Sequence, residues 1–242
     1  MSKDLLLLGA NAPEMDLLRA RLVRIGYRVV PAKTPDQAHS FLRVAGARLG
    51  AVIVPSELPV VNLRGALDAM RRATPGNELV FLGAGRDPGD ERRRALRDAG
   101  VQLALFDPID LHTLRFQINR ACAGQPAARH RRRTLRAPAD WPVVVRSGLR
   151  EKEGRIYSIS ATGAFVALAQ PWMVRSKVEL RIQSPALPKG AATGRVIMTN
   201  VPGNVMRRGL PFGMGVQFDH LSDATSVAIL MYAESRFRAL AV

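Results

Sequence analysis

Apolar residues fall along this 242-residue chain in two rhythms, and the rhythm changes a little past the middle. In the first half, short continuous apolar runs alternate with stretches of helical period. Residues 5–9 (LLLLG) have strand length, and within 14–25 (EMDLLRARLVRI) Met15, Leu18, Leu22 and Ile25 share one helical face. The pattern then repeats. A strand over 27–30 precedes a helix opened by Thr34, with Pro35 at its first position and Gln37 placed to reach back in a capping box. AVIV at 51–54 precedes a helix near 62–73, ELVFLG at 78–83 one near 88–98, and VQLALF at 101–106 one near 110–122. Five strands apolar on both faces, alternating with five amphipathic helices, predict a doubly wound α/β domain over residues 1–123, its parallel sheet covered on both sides.

The second rhythm has period two. Strand-like runs fall at 142–146, 154–159, 164–168, 177–182, 194–199 and 214–218, separated by turn residues such as Gly148, Pro171, Pro185, Pro188 and Gly203. Val143, Val145 and Ile156, then Val178, Leu180 and Ile182, occupy alternate positions. Six short antiparallel strands at this spacing predict a small closed barrel over residues 138–242. Ser222 is placed to cap a final helix over 223–240, with Val227, Leu230, Met231 and Phe237 on one face. That face can cover an open end of the barrel or pair with a second copy in a homodimer. Residues 124–137 (GQPAARHRRRTLRA) have no apolar face and read as a linker.

Charge sharpens this division. The formal net charge is +16, and it is uneven: residues 1–123 carry 18 Lys+Arg against 13 Asp+Glu (+5), and 124–242 carry 18 against 7 (+11). The second half is therefore the expected seat of an anionic partner. The single cysteine, Cys122, excludes an internal disulfide and argues against a zinc cluster, so no metal is expected. No apolar run approaches the ~18 residues of a membrane span. The opening MSKDLLLLGANAPE lacks the shape of a signal peptide. The expectation is a cytoplasmic protein that does not bind membranes.

Local chemistry is sparse in the first half. GAGRDPG at 83–89 sits between a strand and a helix, where phosphate loops occur, but Asp87 can cap the helix and Pro88 suits its first position. The negative Asp87 also repels phosphate. DERRRALRDAG at 90–100 reads as a solvated charged helix face. The four histidines are scattered, His130 among them, and no nucleophile–base spacing or carboxylate pair stands out. No catalytic residue and no enzyme activity are expected.

The order and spacing of residues 3–123 resemble the receiver domain of two-component response regulators. Receivers carry an acidic pair after the first strand, a phosphate-accepting aspartate after the third, a Ser/Thr after the fourth, and Lys-Pro after the fifth. Here those positions read Ala10 and Asn11, Pro55, Gly83, and Asp107 before Pro108. Pro59 and Pro108 keep the fold's marks. With Pro55 at the phosphoacceptor position the resemblance implies a pseudo-receiver without phosphoryl transfer or bound metal, serving as a docking module for a protein partner.

A more specific resemblance lies further on. Arg132 and Arg136, preceded by Arg131, match the RxxxR motif of the PilZ domain, the bacterial receptor module for cyclic di-GMP. Ser158, Ser160 and Gly163 in YSISATG are similar to its [D/N]xSxxG motif, and FGMGVQFDHLS at 212–222 to its closing GxGVxF strand. The resemblance implies an α/β pseudo-receiver followed by a six-stranded PilZ barrel, with cyclic di-GMP as ligand and no other cofactor. It implies Arg131, Arg132, Arg136, Ser158, Ser160 and Gly163 as contacts, with Arg129 and Arg133 as further phosphate contacts, and a linker that reorients the pseudo-receiver.

The chemistry fits independently. Arginine forks onto phosphate oxygens, bonds guanine O6 and N7, and stacks on the base. Ser158 stands where family members carry Asp or Asn, and losing one charge-assisted bond costs about 1.5–3 kcal/mol, roughly 10- to 100-fold in affinity. Two alternatives remain: a degenerate PilZ protein acting as a protein-interaction scaffold, and a nucleic-acid binder. The charge favours the latter; the scarcity of stacking aromatics, with only Trp141 near the cluster, argues against it.

Overall fold

The computed structural model describes residues 3–45, 48–59, 61–76, 78–123, 134–188, 190–206 and 209–242. It comprises two compact units, Met1–His130 with Ala239–Val242, and Arg131–Arg238.

The first unit alternates β1 (Asp4–Leu8), α1 (Pro13–Arg24), β2 (Val29–Ala32), α2 (Pro35–Ala45), β3 (Leu49–Pro55), α3 (Leu63–Arg72), β4 (Val80–Arg86), α4 (Gly89–Asp98), β5 (Leu103–Asp107) and α5 (Leu111–Cys122). The five strands are parallel, in the order β2-β1-β3-β4-β5. Successive side chains leave opposite faces, so the apolar runs split between two cores. Leu6, Val52 and Phe81 pack with Leu42, Leu67 and Leu96 of α2, α3 and α4. Leu5, Leu7, Ile53 and Leu82 pack with Leu18, Leu22, Leu114 and Ile118 of α1 and α5. Each such side chain contributes roughly 1.5–3 kcal/mol by leaving water. This is the receiver-like architecture that the alternation predicts.

Its edges depart from expectation for identifiable reasons. β2 begins at Val29, not at residue 27, because the Tyr27 N–H donates back to the Leu22 carbonyl at 3.1 Å and so closes the end of α1, while its buried hydroxyl donates to Asn119 Oδ1 at 2.7 Å. β4 runs on to Arg86, which places Gly83 inside the strand; Ala84 is the residue level with Pro55. Pro88 lies at the N-cap of α4, one residue before the position expected. Asp87 accepts from the Gly89 N–H at 3.1 Å and pairs with Arg93 at 2.6 Å. The hydrogen bond from Arg93 leads the causes that hold the Asp87 carboxyl below its ordinary value. At α2 the Gln37 N–H donates to Thr34 Oγ1 at 3.3 Å, and Gln37 Oε1 accepts from the Lys33 N–H at 2.8 Å.

The second unit contains β6 (Ala137–Ser147), β7 (Arg150–Ser160), β8 (Gly163–Ala167), β9 (Lys177–Ile182), β10 (Ala191–Asn200), β11 (Gly213–His220) and α6 (Asp223–Ala239). The strands close into an antiparallel barrel in the ring order β10-β11-β8-β7-β6-β9. Val143, Val145, Ile156, Val178, Leu180 and Val216 fill it. The register shifts between Pro138 and Trp141 on β6 and between Ile156 and Ser158 on β7. Across the β7 shift Ile156 and Ile159, three residues apart, both join the core.

Helix α6 starts as predicted, with the Thr225 N–H donating to Ser222 Oγ at 3.2 Å. Its buried face is not the one expected: Ile229 and Ala233 are buried, whereas Val227, Leu230 and Met231 are exposed and Phe237 is half-buried. The helix is apolar on nearly all sides, so period alone does not choose a face. Tyr232 chooses it. Its hydroxyl donates to the Pro138 carbonyl at 2.7 Å and its ring lies 4.5 Å from that of Trp141. Among the described residues no helix is long and apolar enough to cross a membrane.

Candidate functional site

At the strand ends of the receiver-like sheet, Pro55, at the expected phosphoacceptor position, is taken up in packing. Pro55 ends β3, and a Cβ on Gly9, whose φ is +64°, would lie 2.7 Å from Pro55 Cγ. The adjacent Ser56 is buried, donates to the Arg86 carbonyl at 3.1 Å, and has its own carbonyl bonded by Arg92 Nε at 3.1 Å. Asp107, where receivers carry lysine, pairs with Arg21 at 3.5 Å. The corner therefore holds a proline ring and an ion pair of reversed polarity, in place of a carboxylate nucleophile facing a lysine. Among the described residues no cluster of three His, Cys, Asp or Glu side chains could hold a metal ion.

The barrel brings the two halves of the arginine–serine pattern together. Pro138 on β6 is the register partner of Ser158 on β7, so the segment entering β6 runs beside the end of β7. Arg136 Nη1 donates to Ser158 Oγ at 3.3 Å across 22 residues of sequence. Ser158 and Ser160 flank the core residue Ile159 and so leave the strand on the side away from the barrel interior. Both are nonetheless buried, at 3% and 2% exposure. Ser160 Oγ donates to the Gly163 carbonyl at 3.1 Å and lies 3.4 Å from Thr162 Oγ1, which is 3.0 Å from Thr134 Oγ1.

These hydroxyls form a short chain from the β7–β8 turn to the segment before β6. Thr134 and Thr162 are its members that sequence reading passes over, because they occupy the variable positions inside RxxxR and SxxG. A further cation, Arg155, is committed locally. It bonds Asp140 Oδ1 at 2.6 Å and the Asp140 carbonyl at 2.5 Å, and the Asp140 hydrogen bond is the first cause raising its guanidinium above the ordinary value. Asp140 has φ +50° within the β6 irregularity. Trp141 is buried against Tyr232, not presented as a stacking platform.

Gly163 has a structural reason of its own. A Cβ there would lie 2.4 Å from the Val216 carbonyl oxygen, so β8 and β11 approach too closely for any side chain. Arg129, Arg131, Arg132 and Arg133, and linker residues 124–133 generally, lie outside the described residues. Of the expected contacts the described chain thus brings together Arg136 and Ser158, with Ser160 and Gly163 bonded to each other two residues further along. Arg136 offers a planar guanidinium able to fork onto phosphate or a guanine edge.

The PilZ domain family model matches residues 130–235. Among solved structures, the Bacillus subtilis inhibitor of motility (MotI/DgrA) is similar to this chain at 22% identity and a TM-score of 0.38, covering 46% of this chain and 53%, about half, of that one. The receiver domain of the Pseudomonas aeruginosa sensor histidine kinase PA1611 is similar at 21% identity and a TM-score of 0.43, covering 51% of this chain and all of that one. The Vibrio cholerae chemotaxis protein CheY4 is similar at 16% identity and a TM-score of 0.39, covering 50% and 99%. No curated protein matches the chain. The residues matched by the PilZ domain model span the six-stranded barrel and most of α6, and the receiver-like parallel sheet precedes them in the chain.

Proposed function

We propose that the chain is a cyclic di-GMP effector, in which the segment entering β6 and the end of β7 hold the dinucleotide and its occupancy is relayed to a protein partner through the receiver-like domain. The observation that carries this reading is the Arg136–Ser158 hydrogen bond, which puts one residue from each expected motif within contact distance. Arg136, Ser158, Ser160 and Gly163 form the barrel side of the site; Arg131 and Arg132, with Arg129 and Arg133, supply further cations to the ligand. Ligand gathers these arginines, and the joining segment then alters what the receiver-like domain presents. Phosphoryl transfer of the receiver kind has no part in this relay, since Pro55 stands where the accepting carboxylate is expected.

Calorimetry with cyclic di-GMP on the full chain tests the reading. Wild type binds at micromolar concentration, and Arg136→Ala lowers affinity by about 10- to 100-fold, as for loss of a charge-assisted bond. Absence of binding by a folded wild type overturns the reading; binding indifferent to Arg136→Ala overturns the site.

A second reading has an observation of its own. Ser158 and Ser160 are nearly sealed from solvent, and Ser160 is satisfied within the β7–β8 turn. In that reading the PilZ domain is a ligand-free scaffold for protein contacts. Ser158→Asp separates the two: it strengthens existing binding in an effector and creates binding in a scaffold that has none.

A further inference from the structure

The parallel sheet of the first unit ends at β5, and an edge strand presents unpaired backbone N–H and C=O groups. Here that edge is closed from far along the sequence. Ala241 bridges Leu103 in antiparallel register; the Ala104 N–H donates to the Leu240 carbonyl at 3.1 Å and the Val242 N–H to the Gln102 carbonyl at 3.4 Å. Residues 240–242 thus make the shortest possible antiparallel strand on an otherwise parallel sheet.

The seat is more than an edge. Val242 is 5% exposed and joins the core that contains Leu96, Val101 and Ala104; Leu240, two residues earlier, is 8% exposed. Gln117 of α5 is fully buried, and its Nε2 donates both to the Ala104 carbonyl at 3.0 Å and to the Leu240 carbonyl at 2.6 Å. Arg97 of α4 donates through Nε to the Val242 carbonyl at 2.7 Å. A buried amide placed to bond one more carbonyl than its own sheet supplies, an apolar socket and a backbone ladder together define a peptide-binding groove of the strand-addition kind. The segment is only three residues long, so its release is local and costs far less than unfolding the unit.

We propose that the β5 edge, with Gln117 and Arg97, is a strand-addition site for an extended segment with apolar side chains two residues apart, kept occupied by residues 240–242 of the same chain. When that segment leaves, the seat takes the same segment of a second copy.

The test uses a fluorescent peptide of residues 235–242, followed by anisotropy against wild type, a variant ending at Ala239, and that variant with Gln117→Leu. The shortened chain binds the peptide, wild type binds it at least about tenfold more weakly because its own tail competes, and Gln117→Leu weakens binding by up to about tenfold through the lost hydrogen bond. No binding to the folded shortened chain overturns the site, and equal binding to wild type overturns occupancy by the chain's own tail. Hydrogen exchange on wild type decides the matter should the shortened chain fail to fold. The Ala104 amide then exchanges through a local opening, faster than amides of β3; exchange of Ala104 only with global unfolding overturns release.

Discussion

Gly163 and Val216 stand so close that a Cβ on the glycine would lie 2.4 Å from the valine carbonyl oxygen. The glycine of the SxxG pattern is therefore required by the meeting of β8 and β11, whatever the barrel binds. Gly163→Ala should lower the barrel's stability by about 1–3 kcal/mol, the range for overpacking a closed interior. Urea unfolding of the full chain, followed by Trp141 and Trp172 fluorescence, measures it. A variant as stable as wild type would show that the strands can part without cost, and would return the glycine to the ligand.

The relation between Pro55 and Gly9 predicts a failed rescue. Restoring a carboxylate with Pro55→Asp leaves Ala10 and Asn11 where a metal would need carboxylates, and Asp107 where a cation would balance the developing charge. Incubation with acetyl phosphate and Mg²⁺ should give no phosphorylated species by intact mass. The substitution should also destabilise the first unit, because Pro55 is the side chain that fills the space beside Gly9. A stoichiometric phosphoryl adduct on the introduced carboxylate would show that Ala10, Asn11 and Asp107 do not prevent metal binding and charge balance at this corner.

Where the fold was legible, the reason was periodicity under burial. Leu5, Leu6 and Leu7 face two cores because helices cover both sides of the sheet, and Val143 and Val145 alternate because only one face of the barrel wall is dry. The pairing of Arg136 with Ser158 was legible as a coincidence of motifs, and the β6–β7 register supplies its physical basis. What stayed hidden has no period. The shift at Tyr157 breaks alternation within a single residue, Thr134 and Thr162 are small polar residues without positional signal, and three residues at 240–242 are too few to declare a strand. The buried face of α6 was misjudged because its choice rests on Tyr232, a contact and not a pattern.

Cys122 offers a check on the first unit's packing. Burial pushes its thiol up to about 11, against the opposing charge of Lys3, and a Cβ on Gly50 would lie 2.6 Å from its Sγ. At pH 8 only about one thiol in a thousand is ionised, against roughly a quarter for a free cysteine. Alkylation by iodoacetamide at pH 8 should run at least about tenfold slower than for glutathione and become fast in denaturant. Native-state labelling at the glutathione rate would mean that the end of α5 is open.

Asp110 gives the unit a pH dependence whose sign can be worked out. Burial pushes its carboxyl up, but hydrogen bonds from the Thr113 N–H and hydroxyl, at 2.7 and 2.8 Å, with the charge of His112, outweigh this and leave it below the ordinary value. A carboxylate depressed by folding stabilises the native state above its unfolded pKa of about 3.9 and loses that contribution as pH falls through the lower, folded value. Asp110→Ala should therefore cost about 1 kcal/mol at pH 7, as expected for an N-cap. The gap between wild type and variant should narrow as pH falls below about 4, since the protonated carboxyl accepts from the Thr113 N–H only weakly. Urea unfolding of both proteins at pH 7 and at successive steps below pH 4 follows the gap. A difference that stays constant down to the lowest pH at which the chain folds would show that the stabilisation comes from the shape of the α5 start and not from the charge on Asp110.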